Sequence, residues 1–138
     1  MAVLVAYDGS RPAQQAVEYA VAEHSDEELI LLRVIEAAEG STGAGIGLVK
    51  ERLKELREES AAAVSEDVDD VLEAADVEFR IETAVGDPAR EIVAFAEAND
   101  VGHIVIGNHG RDGVSRVLLG SVAERVVRRA PVPVTLVR

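Results

Sequence analysis

The chain has 138 residues, enough for one domain that buries roughly two thirds of its unfolded surface, and no linker divides it. Its 26 acidic against 14 basic residues give a formal charge of −12, which would repel a phosphate backbone, and two Phe, two Tyr and no Trp leave few platforms for stacked bases, so nucleic acid is not an expected partner. Cysteine is absent, which excludes disulfides, thiolate chemistry and Cys-ligated zinc.

Val3 to Ala6 is a short apolar run that predicts a first strand. No basic leader or cleavage signal precedes it and no apolar run is long enough to span a bilayer, so a cytoplasmic protein is expected. Tyr7-Asp8-Gly9-Ser10 turns into a helix capped by Ser10, with Pro12 near its first turn and Ala13, Ala16, Val17, Ala20 and Val21 as its buried stripe. Leu29 to Ile35 predicts a second strand, broken in its apolar run only by Arg33. Gly43-Ala44-Gly45-Ile46-Gly47, followed by Lys50, reads as a linker; it does not directly follow a strand and lacks the Gly-Lys-Ser/Thr ending of a phosphate loop. Ile46, Val49, Leu53, Leu56, Val64, Val68, Val71 and Leu72 recur at helical spacing and predict a long amphipathic helix. In the third strand Val77, Phe79 and Ile81 alternate with Glu78, Arg80 and Glu82, the pattern of a sheet edge. Gly86-Asp87-Pro88 opens a helix with Asp87 as N-cap and Ile92, Val93, Phe95 and Ala96 turned inward.

The stretch from Val101 to Arg129 reads strand, glycine loop, helix. His103 to Ile106 is a buried-strand run that ends in Gly107-Asn108-His109-Gly110, and a helix is expected from Ser121, with Val122, Val126 and Val127 inward and Arg125, Arg128 and Arg129 towards its end. Glycines at 107, 110 and 120 permit positive φ and let a ligand approach the main chain, while Ser121 and the free N–H groups behind it suit an anion. The spacing Gly-x2-Gly-x9-Gly-Ser is neither the Walker nor the dinucleotide pattern. Pro131 to Val137 closes the chain as a fifth strand whose prolines fit an edge or a strand beginning. Strands alternating with helices predict an α/β fold, an open parallel five-stranded sheet with helices on both faces and ligands beyond the carboxyl ends of the strands.

Gly107-Asn108-His109-Gly110 through Leu118-Leu119-Gly120-Ser121-Val122 closely resembles the ATP-binding signature of the universal stress protein family. Val5 to Ser10, Gly86-Asp87-Pro88 with Glu91-Ile92, and Pro131 to Val134 are similar to other segments of that family, so the resemblance covers the whole chain as one domain. It implies strand order 3-2-1-4-5, in the adenine nucleotide alpha hydrolase-like arrangement, with strands 1 and 4 astride the switch point. Carried over by position, Ala6 and Asp8 flank the adenosine, Val34 lies against the adenine, Gly107 and Gly110 line the ribose and phosphates, and Gly120 and Ser121 hold the outer phosphates. Asn108, His109 and Val122 complete the cofactor-binding set, Asn108 standing where the family commonly has serine.

The function expected from this set is an ATP-binding regulatory protein of the stress response, with Mg²⁺ held by the phosphates and no metal site in the protein. His24, His103 and His109 show no metal-ligand spacing, and only His109, between two glycines, is placed to touch phosphate. A slow ATPase or phosphoryl-transfer enzyme is the rival; Arg111, Arg116 and His109 are the side chains near the loop and no base is evident. Tyr7-Asp8-Gly9-Ser10 lacks the serine-and-glycine phosphate loop of pyrophosphatases of related architecture, which argues against adenylyl transfer. A dimeric stress protein without nucleotide is the third reading, and the intact glycine signature speaks against it. A homodimer through Val132 to Val137 is expected from an apolar edge strand, and the acidic surface suggests adaptation to high salt.

Overall fold

The computed structural model describes residues 1–35, 54–55, 58–59, 61–63, 68, 71–72, 75–108 and 121–138. Strand β1 (Ala2–Ala6) leads into helix α1 (Arg11–Glu23) and β2 (Leu29–Ile35). Residues 54–55, 58–59, 61–63, 68, 71–72 and 75, between β2 and β3, are helical, as their spacing predicts. Then come β3 (Phe79–Val85), α2 (Pro88–Ala98), β4 (Val101–Gly107), α3 (Ser121–Arg129) and β5 (Val134–Val137). The strands form one sheet in the order β3-β2-β1-β4-β5, every pair parallel. The expected order and fold class are therefore those observed.

Strand alternation sends the core to both faces of this sheet. Val3, Val5, Leu29, Leu31 and Val105 pack with Ala13, Ala16, Val17 and Ala20 of α1 and with Val68 and Leu72. Leu4, Ile30, Leu32, Ile104 and Ile106 point the other way, onto Ala89, Ile92 and Ala96 of α2 and Ala123 and Val126 of α3. Each such Leu, Ile or Val contributes roughly 1.5–3 kcal/mol by leaving water. The centre of the sheet is apolar on both sides, which is why β1 can be flanked by two strands and covered by helices above and below.

Local chemistry sets the helix starts. Ser10 sits in an extended conformation and its Oγ accepts from the Ala13 N–H at 3.2 Å, with proline in the first turn of α1. Asp87 does the same for α2, accepting from the Arg90 N–H at 3.0 Å. Asp76 and Asp100 take the left-handed conformation, φ 54° and 44°, where the chain turns from helix into β3 and β4.

Three expectations need correction. Val77 precedes β3 instead of lying in it, buried under the helical segment, and its N–H bonds to Leu72 O at 3.5 Å. β5 begins at Val134, so both prolines fall outside the strand, although the Pro133 carbonyl, the one ladder group a proline keeps, accepts from Ile104 N–H at 3.0 Å. On α3 the buried residues are Ala123 and Val126, with Val122 partly buried against the same cluster, whereas Val127 is 43% exposed, on the face turned from the core.

Candidate functional site

The carboxyl ends of the strands collect most of the described candidates. Ala6 ends β1 and Val34 lies near the end of β2; both are half-buried and pack on the α2–α3 side of the sheet, with Val122 of α3 on the same side. Ala6 pairs in register with Leu32, so Val34 stands two residues beyond it on the neighbouring strand. Ala6 and Val34 thus place small and branched aliphatic side chains on this side of the sheet near its carboxyl end.

Asp8 is exposed, and its Oδ1 accepts from the Ser10 N–H at 3.0 Å, so it shapes the turn that presents the cap of α1. The N–H of Asn108 donates to Val137 O at 2.8 Å, carrying the β4–β5 ladder one residue beyond the strand. Ser121 is exposed as the first residue of α3, with that helix's first-turn N–H groups behind it. His109, Gly110 and Gly120, with Arg111 and Arg116, lie outside the described residues, as do Gly43 to Gly47 and Lys50.

Gly107 has a structural reason of its own. A Cβ built on it would stand 2.3 Å from the Pro12 carbonyl oxygen and 2.5 Å from its carbon, so the first turn of α1 rests directly on the end of β4. Its φ is not in the left-handed region; among the described glycines only Gly9 and Gly86, at φ 82° and 146°, take positive values. The absent side chain at 107 thus admits a helix backbone, and positive φ is not what this glycine supplies.

Electrostatically, the prominent feature at this end joins two helices. Arg125 of α3 donates from Nη1 to Asp87 Oδ1 at 2.9 Å and from Nη2 to Oδ2 at 2.8 Å. The Arg125 guanidinium, and then the Arg90 N–H, hold the Asp87 carboxyl below its ordinary pKa, while Asp87 raises that of Arg125. The sequence identified Asp87 as a cap and Arg125 as a dipole partner, yet nothing local joins residues on different helices; only the topology brings them together. Among the described residues no group of three or more His, Cys, Asp or Glu side chains gathers as metal ligands. What the described arrangement can do chemically is receive an anion at the start of α3 beside an apolar rim.

A parallel α/β sheet with its helix starts and turn residues gathered at the carboxyl ends defines a class of small ligand-binding domains. The family model described as "Universal stress protein family" matches residues 1–138, and the chain belongs to that family. Universal stress protein MJ0531 of Methanocaldococcus jannaschii is 35% identical over 99% of this chain and 81% of its own. The solved structure of protein MJ0577 from the same organism superposes with a TM-score of 0.74 at 31% identity, covering 99% of this chain and 94% of that one. A universal stress protein solved in complex with cAMP superposes with a TM-score of 0.74 at 26% identity over 100% and 97% of the two chains.

Proposed function

We propose that this chain binds an adenine nucleotide, ATP with Mg²⁺ carried on the phosphates, and that occupancy regulates its association with other proteins in a stress response. The observation that carries the reading is a coincidence of place: the ends of β1 and β4 are neighbours, and the Gly-x2-Gly-x9-Gly-Ser segment leaves β4 at Gly107 and enters α3 at Ser121. The similar protein solved with cAMP supports an adenine ring and phosphate as the ligand class. In this reading Ala6, Asp8 and Val34 flank the adenosine, and Ser121 with the first-turn N–H groups of α3 receives phosphate. Gly107, Asn108, His109, Gly110, Gly120 and Val122 form the rest of the loop and helix start. ATP supplies charge and shape to be recognised, and the chain supplies no identified base to activate an attacking group.

The dimer proposed with it pairs β5 of two copies, because β5 is an edge strand with half-buried aliphatic side chains. The charge of −12 suits a cytoplasm rich in salt, where screening shortens the range of self-repulsion. Denaturing freshly purified protein and chromatographing the released small molecules tests the ligand directly, with an adenine nucleotide expected. Calorimetric titration of ATP should then give an affinity that falls at least about tenfold, a change of about 1.4 kcal/mol, in Gly110→Val. Unchanged affinity in a folded Gly110→Val protein would remove the loop from the site. Turnover reaching about 1 per second would move the protein into the enzyme class.

A further inference from the structure

We propose that Arg125 and Asp87 are positioning residues for phosphate: their ion pair fixes the direction in which α3 presents Ser121 and its first-turn N–H groups. This rests on the nucleotide-binding reading above. Among the described residues, α3 is seated by short side chains. It runs only from Ser121 to Arg129, and its fully buried side chains are Ala123 and Val126. These two and the partly buried Val122 give the helix a place, but short side chains interlock less with the groove they face than long ones and so fix rotation and tilt less tightly. An anion site made of N–H groups is directional, so rotation and tilt are what it depends on.

Arg125 adds a directional constraint. Two parallel N–H···O bonds of 2.9 and 2.8 Å set a plane as well as a distance, which a single contact does not. The acceptor is itself fixed. Asp87 Oδ2 also takes the Arg90 N–H as N-cap of α2, and the preceding Gly86 N–H donates to Ile35 O at 2.9 Å, so Arg125 is fastened to the ends of β2 and β3. Arg125 follows Ser121 by one helical turn and lies on the same face, so a rotation at one is a rotation at the other. Arg125 also neutralises Asp87, which otherwise places a bare carboxylate at the end of the sheet where phosphate is to bind. Both effects bear on phosphate. In that reading adenosine is flanked by residues of β1, β2 and the turn after β1, none of which belongs to α3.

Calorimetric titration of ATP and of adenosine into the wild type, Arg125→Ala and Arg125→Lys separates the possibilities. In Arg125→Ala the ATP affinity should fall about fivefold, the scale an exposed bidentate pair can sustain, while adenosine affinity stays within twofold. Arg125→Lys keeps the charge and loses the two-pronged grip, so it should recover only part of the loss. Full recovery with lysine would assign the effect to charge alone and overturn the positioning role. An equal loss for ATP and adenosine would make the pair a general stabiliser of the fold and also overturn it. A wild type that binds adenosine but gains nothing from the phosphates removes this inference and leaves the nucleoside site standing, whereas a wild type that binds neither removes the nucleotide reading itself.

Discussion

The two ends of β4 each carry a glycine, and they are packed in opposite ways. At the carboxyl end, an added Cβ on Gly107 would meet the backbone of Pro12 at 2.3 Å. At the amino end, the nearest atoms to one on Gly102 belong to the side chain of Met1, its Cβ at 2.9 Å and its Sδ at 3.0 Å, and Met1 is 75% exposed. Polar groups differ less sharply, since the Arg125–Asp87 pair joins side chains at the carboxyl end too and Asn99 Nδ2 donates to the Phe95 carbonyl before β4. Near the carboxyl ends, Asp8, Ser10 and Asp87 hold backbone N–H groups and so fix turns and helix starts. Near the amino ends, side chains meet side chains: His103 Nε2 lies 2.6 Å from Thr135 Oγ1, and the rings of His103 and His24 are 5.0 Å apart. At the carboxyl end an added methyl would press on backbone, and at the amino end on a side chain.

The largest effect that contrast predicts is for Gly107→Ala. The methyl group cannot be accommodated unless α1 lifts from β4, so stability should fall by about 1–3 kcal/mol, the range for overpacked sites. Urea unfolding measures it, and a change below the error of the fit would mean that α1 does not rest on β4. Ser10→Ala comes next, at about 1 kcal/mol, because it strips the cap of α1 without touching the core; Ser10→Asp, which restores an acceptor, should recover most of it.

A smaller change is expected at the amino end with pH. Burial, and then the neighbouring His24, pull the His103 pKa below its ordinary 6.5, against an opposing pull from Glu27. The unfolded chain therefore binds the proton more readily than the folded one, so this contribution is intact above about pH 6.5 and is lost as pH falls through the window below it. His103→Gln should flatten that part of the stability profile, and an unchanged slope would assign the acid sensitivity elsewhere. Gly102→Ala is the smallest. The nearest atom, Met1 Cβ, moves only with its backbone, but Met1 is 75% exposed and precedes β1, so it can shift and stability should stay within about 0.5 kcal/mol of the wild type; a larger loss would show that the amino end is as tightly built as the other.

Much of this arrangement was legible where the cause is local. Leu29 to Ile35 is a strand over the residues the apolar run predicts, and Ser10 and Asp87 cap the helices they precede, because a cap depends on three or four consecutive residues. The strand order followed from the family resemblance, not from periodicity, which carries no information about neighbours. Contacts through space were not legible. Gly107 reads as a loop glycine until Pro12 is found against it, and Arg125 reads as a dipole partner until Asp87 meets it. His24 and His103 read as unrelated residues because the fold, and not their spacing, brings α1's end over β4. On α3 the valines suggested the inward face, but the helix turns Ala123 and Val126 to the core and leaves Val127 outside, a rotation that residue type alone does not show.

The position of β1 has a consequence for the order of events during synthesis. It is the first strand made and the middle strand of the sheet. Its partner on one side, β2, begins at Leu29, but the partner on the other side, β4, begins only at Val101. A nascent chain can therefore assemble β1, α1, β2 and β3 while one side of β1 still shows unpaired N–H and C=O groups between two apolar faces. The strand that ends deepest in the native sheet spends the longest time as an open edge, and the arrival of β4 closes that edge and completes the rim from which the glycine-rich segment departs.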